Sequence, residues 1–123
     1  VYFVHVKNGF NAKIRDLSSQ LKVGSDRLFN AVNDSKEEYS FLKLLIEEYN
    51  KVNIVQIEFD NFLNLIKNYK IEFVFAFNSG NKKKSVDELI AKSNSNIAKY
   101  STILCVRDMK NYPLKIFNFA DLK

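Results

Sequence analysis

The chain has 123 residues, a formal charge of +5 and a pI near 9.3. Its 46% hydrophobic and 14% aromatic content excludes a disordered chain and suits one packed domain, while three glycines and one proline leave little room for a loop-rich sandwich or barrel. The single Cys105 excludes an internal disulfide, no Cys/His spacing suits zinc, and no apolar run approaches the ~20 residues of a membrane span, so a soluble cytoplasmic domain with no membrane partner is expected.

The first strand, residues 1–7, alternates with period two. Tyr2, Val4 and Val6 share one face, and Val1, Phe3, His5 and Lys7 share the other, so His5 and Lys7 point the same way as the strand exits at Gly9. From Asn11 to Leu21, Ile14, Leu17 and Leu21 recur at helical spacing, and Val23-Gly24 reads as the end of that helix. Ser25 or Asp26 caps a second short helix with Leu28, Phe29 and Val32, which ends at Asn33-Asp34. Ser35 and Glu38 form a capping box for a helix carrying Phe41, Leu42, Leu45, Ile46 and Tyr49. The β-branched stretch Val52 to Phe59 reads as an extended segment or edge strand, and Asp60 as the N-cap of a helix through Phe62, Leu63, Leu65, Ile66 and Tyr69.

Residues 71–77 are nearly all apolar in their second half, the pattern of a central strand covered on both faces, and residues 78–81 form the turn after it. Lys82, Lys83 and Lys84 follow, then a capping box of Ser85 and Glu88 opens a short helix through Leu89 and Ile90. Asn94, Ser95 or Asn96 starts the last helix, with Ile97, Tyr100, Leu104 and Met109 along one side. Residues 101–106 are strand-like in composition, but the flanking Ala98, Lys99, Arg107, Asp108 and Lys110 continue a helical pattern, and helix is the reading adopted. Tyr112-Pro113 stops it, and residues 114–119 alternate as a final strand. A start without Met and already inside a strand suggests that this single α/β domain, residues 1–123, is the C-terminal portion of a longer protein.

The residues His5-Val6-Lys7-x-Gly9, then Ser18-Ser19-Gln20, the strand 71–77 and the closing helix-strand pair near Tyr112 to Phe119, resemble the C-terminal part of a sporadically distributed family of uncharacterised bacterial proteins. The order of elements also resembles the core of restriction-endonuclease-like nucleases, in which a strand delivers an acidic residue, any residue and a lysine beside a metal-binding aspartate. The resemblance implies an α/β fold, a mixed sheet flanked by helices with part of that core. It further implies a nuclease-like, nucleic-acid-binding domain of a bacterial defence or mobile-element protein, with DNA or RNA as partner and a divalent metal such as magnesium if the longer parent hydrolyses phosphodiesters. Lys7 matches the lysine of the pattern, His5 stands where a carboxylate belongs, and Gln20 takes the polar helix position, so these three are the candidate catalytic residues. No metal ligand is assigned.

A lysine suits that chemistry because hydrolysis builds negative charge on phosphate oxygens. Lys82, Lys83 and Lys84, ahead of a helix start, and Lys13 and Arg15 in the first helix are the candidate phosphate contacts. The plainer readings are a satisfied histidine and solvated lysine at a strand end, a solvated lysine loop, a buried small hydrophobe at Cys105 and aromatics that fill the core. They leave two further functional classes, a non-catalytic nucleic-acid-binding module and a protein-interaction domain.

Overall fold

The computed structural model describes residues 1–34, 36, 39–80 and 85–119. The chain divides into two compact units, one of residues 2–23 and 72–123, the other of residue 1 and residues 24–71.

The first unit holds the sheet. Strands β1 (Tyr2–Asn8), β2 (Glu72–Asn78) and β3 (Leu114–Asn118) lie in the order β1-β2-β3, all parallel. The mixed sheet expected from sequence is therefore a purely parallel one. The reason is the length of the connections: β2 and β3 are each reached through intervening helices, long enough to return the chain to the same direction. His5 pairs with Phe75 and Lys7 with Phe77, and Phe75 in turn with Ile116.

One face of this sheet is packed. Phe73, Phe75 and Phe77 are buried, as are Ile14, Leu17 and Leu21 of helix α1 (Ile14–Val32) and Ala98, Cys105 and Met109 of helix α5 (Asn96–Asp108). The Ser18 hydroxyl on α1 donates to the Ser101 carbonyl on α5 at 3.2 Å, so these helices meet closely. Helix α4 (Val86–Lys92) packs beside β3, and the Ser85 hydroxyl caps it by accepting from the Glu88 amide at 3.2 Å. On the other face β2 is also buried, as its near-continuous apolarity predicted. Val74 and Ala76 are buried, whereas Val4 and Val6 on the neighbouring strand remain 53% and 51% exposed and line, with Val74, Ala76, Phe117 and Phe119, an open apolar groove.

Helix α1 is a single helix where sequence suggested two. Gly24 costs only about 1 kcal/mol in a helix interior, and the stripe Leu17, Leu21, Leu28 runs through it; Ser25, expected as a cap, is buried on that stripe. Helix α5 confirms the helical reading of residues 101–106, with Ser95 as N-cap, but not the expected face. It buries the small side chains of Ala98, Ser101, Thr102 and Cys105 and exposes Ile97, Tyr100 and Ile103. Small residues let it approach α1.

The second unit holds helices α2 (Ser40–Val52) and α3 (Phe59–Asn68), with Leu42, Ile46 and Ile66 buried. The expected Ser35–Glu38 capping box lies outside the described residues. Helix α2 begins after Tyr39, whose left-handed backbone (φ 50) is held by packing: its buried ring lies 6.5 Å from that of Phe59, and the Lys67 ammonium sits 4.8 Å from its centroid. Glu58 takes the N-cap position of α3 and Asp60 falls in the first turn, where it favours the helix dipole. Residues 53–58 form no strand; the Asn50 side chain takes both backbone groups of Ile57, at 2.9 and 2.8 Å, and so replaces a neighbouring strand. Among the described residues, no helix is long and apolar enough to cross a membrane.

Phe75 is fully buried at the centre of the sheet, so Phe75→Ala is expected to cost about 3–5 kcal/mol, read as a lowered urea midpoint with little change in slope.

Candidate functional site at the strand ends

In a parallel sheet all strands finish at one edge, and here asparagines organise that edge. The Gly9 amide donates to the Asn78 carbonyl at 2.8 Å, tying the exit of β1 to the exit of β2. Gly9 has φ +82, the left-handed region that favours glycine, and a Cβ there would have to displace only the Asn11 side-chain amide. Asn11 then starts α1: its side-chain oxygen accepts from the Lys13 amide and its carbonyl from the Ile14 amide, both at 3.0 Å. Across the sheet, the Asn78 side chain accepts from the Gly80 amide at 3.0 Å, and buried Asn118 accepts from the Ser79 amide at 3.2 Å. The sequence signal for these residues was their turn chemistry alone. What they join depends on a register that pairs residues about seventy positions apart, which no local pattern shows.

Lys7 and His5 do share one face of β1, as alternation required, and both are half-buried. Lys7 lies in the last turn-ward positions of the strand, opposite Phe77. Lys13 and Arg15 are exposed at the start of α1, on the turn that leaves β1, so the chain brings Lys7, Lys13 and Arg15 to the same end of the sheet. Gln20 is exposed further along α1, roughly 9 Å down the helix axis from Ile14. Lys82, Lys83 and Lys84 follow Gly80 in sequence and lie outside the described residues.

The Nδ1 of His5 is buried and has no hydrogen-bond partner among the described residues. Burial against the aromatic face pushes its pKa below the ordinary histidine value, so at neutral pH the ring is uncharged and acts as a weak acceptor rather than a cation. Among the described residues, no group of three His, Cys, Asp or Glu side chains is placed to hold a metal ion. Burial likewise raises the Cys105 thiol, an effect offset in part by a hydrogen bond with Ser18, and this keeps it a neutral core group rather than a nucleophile.

Because the folded ring holds its proton less tightly than the unfolded one, acid favours the unfolded chain. Stability should fall as pH drops below about 6.5, the ordinary histidine value, and level off once pH is below the depressed folded value. Urea midpoints between neutral and mildly acidic pH measure this; His5→Phe should flatten that part of the profile, and an unchanged slope would place the charge dependence elsewhere.

Comparison of the chain with protein-family models, with curated proteins and with solved structures returns no match.

Proposed function

We propose that the chain is a nucleic-acid-binding module that holds the phosphate backbone at the carboxyl edge of its sheet, through Lys7, Lys13 and Arg15; the Lys82 to Lys84 run, outside the described residues, adds basic charge in sequence after β2. The observation that supports this reading is the parallel, in-register pairing of β1 with β2, fastened by the bond from Gly9 to Asn78, because it gathers cationic side chains of one turn beside the exit of the other. Open α/β sheets take ligands at the carboxyl ends of their strands, where turn backbone and helix starts face outward. Cations there neutralise phosphates without reading bases, so the binding is sequence-tolerant. The net charge of +5 favours encounter with a polyanion.

Phosphodiester hydrolysis is the second reading, and the strand end His5-x-Lys7 is the observation that favours it. Lys7 would face the charge that develops on phosphate, while the carboxylates that hold a divalent ion would have to come from outside the described residues.

Affinity for duplex DNA and for RNA of unrelated sequence, followed by fluorescence anisotropy across a salt series, tests the proposal. Binding should weaken steeply with salt and equally for all sequences, and Lys13→Ala with Arg15→Ala should lower the logarithmic salt slope by about 1–2. No binding at low salt would sink it. Magnesium-dependent cleavage by the same samples, lost in Lys7→Ala, would move the assignment to the hydrolytic reading.

A further inference from the structure

β1 is an edge strand, and its outer side carries unpaired backbone. The register with β2, together with the bonds from the Gly9 amide to the Asn78 carbonyl and from the Phe73 amide to the Pro113 carbonyl, both at 2.8 Å, fixes which way each peptide points. Phe3, His5 and Lys7 turn their N–H and C=O groups toward β2, because alternate residues of a parallel strand bond to the same neighbour. Tyr2, Val4, Val6 and Asn8 therefore turn theirs away from the sheet, and among the described residues those groups have no hydrogen-bond partner. The same residues are exposed, Tyr2 by 60%.

The opposite edge of the sheet is protected. β3 spans five residues, is entered from Pro113, carries exposed Lys115 and has α4 beside it, all features that discourage further pairing. β1 has none of them. It spans seven residues in unbroken register without proline, and its one charged side chain, Lys7, belongs to the set on the packed side of the sheet. A row of unpaired donors and acceptors of this kind accepts another extended backbone.

We propose that β1 pairs antiparallel with β1 of a second copy of this chain, about a two-fold axis at His5, so that the three strands of each copy join in one sheet. The fit of the strand to itself selects this occupant. Hydrogen-bonded pairs must match outward residues with outward residues, and centring at His5 is the register that uses the whole strand: Tyr2 meets Asn8 and Val4 meets Val6 of the other copy, each pair exchanging two bonds. The side chains match as well as the backbones. Val4 and Val6, 53% and 51% exposed for want of a second neighbour, cover each other, and Phe3 meets the aliphatic stem of Lys7. The two Lys7 ammonium groups stand at opposite ends, about 14 Å apart along the strands, beyond the ~8 Å screening length at physiological salt. A two-fold arrangement closes at the dimer. One strand pair is a small contact, so the association is weak and reversible.

Sedimentation velocity in reducing, nucleic-acid-free buffer, at chain concentrations up to about 1 mM, tests the pairing. The chain should show a concentration-dependent monomer–dimer equilibrium. Val4→Pro removes an outward N–H that β2 does not use, a place where an edge strand accepts proline, and should dimerise at least about tenfold more weakly while keeping its circular dichroism. Disulfide trapping in chains that also carry Cys105→Ala reads the register, and stays decisive should Val4→Pro fail to fold. Residue 5 meets its own counterpart at about 4.5 Å between Cα atoms, within disulfide reach. His5→Cys should therefore crosslink under mild oxidation faster than the more exposed Val6→Cys, whose counterpart lies on the diagonal. A chain that stays monomeric throughout the series overturns the proposal. So does a folded Val4→Pro that dimerises as well as the chain itself, or a Val6→Cys that crosslinks as fast as His5→Cys.

Discussion

β2 is hydrogen-bonded on both sides to parallel neighbours, and most of the sheet unit follows from that. A strand in that position has every backbone group paired within the sheet, so its side chains are free to be apolar on both faces, and residues 73–77 are all buried. Parallel neighbours cannot be reached by a hairpin, which obliges the chain to spend its length on helical crossovers. They also bring every strand exit to one edge. On the edge strands Val4, Val6 and Phe117 stay exposed, because they lack the second neighbour that β2 has.

The edge where the strands finish is a scaffold of amides. Asn11, Asn78 and Asn118 satisfy turn N–H groups with their side chains, and Gly9, at φ +82, ties the exit of β1 to that of β2 through its amide. With those groups occupied by the protein itself, what remains for a ligand is side-chain charge, and at this edge the charge is basic. On the proposed reading, a surface of that kind would meet phosphate by position and sign. His5 sits on the same strand as a half-buried, uncharged ring whose Nδ1 is buried, which suits a packing role better than proton transfer at neutral pH.

Much of this was legible in the sequence, for physical reasons. β1 with its two faces and β3 were read from period-two alternation, β2 from its near-continuous apolarity, and the helix over residues 101–106 from the residues that flank it. Errors arose where one strong local signal was outvoted by packing. Gly24 looked like a helix end, but the continuous stripe from Leu17 to Leu28 outweighs its propensity cost. The β-branched run from Val52 looked like a strand, but the Asn50 side chain supplies the pairing a strand would need. On α5 large apolar residues looked like the buried face, while close approach to α1 requires the small ones. The site was partly legible: Lys7, Lys13 and Arg15 were recognised as basic residues near one turn, but the asparagine scaffold and the partner strand come from long-range register.

Hydrogen exchange of the backbone amides, followed by NMR, addresses the central strand directly. With neighbours on both sides, consecutive amides from Phe73 to Phe77 should all exchange slowly, at the rate set by global unfolding, while Ile54 and Val55 exchange fast. Protection of alternate amides only would mean that β2 has a neighbour on one side, and would contradict the sheet order on which the fold and its basic edge depend.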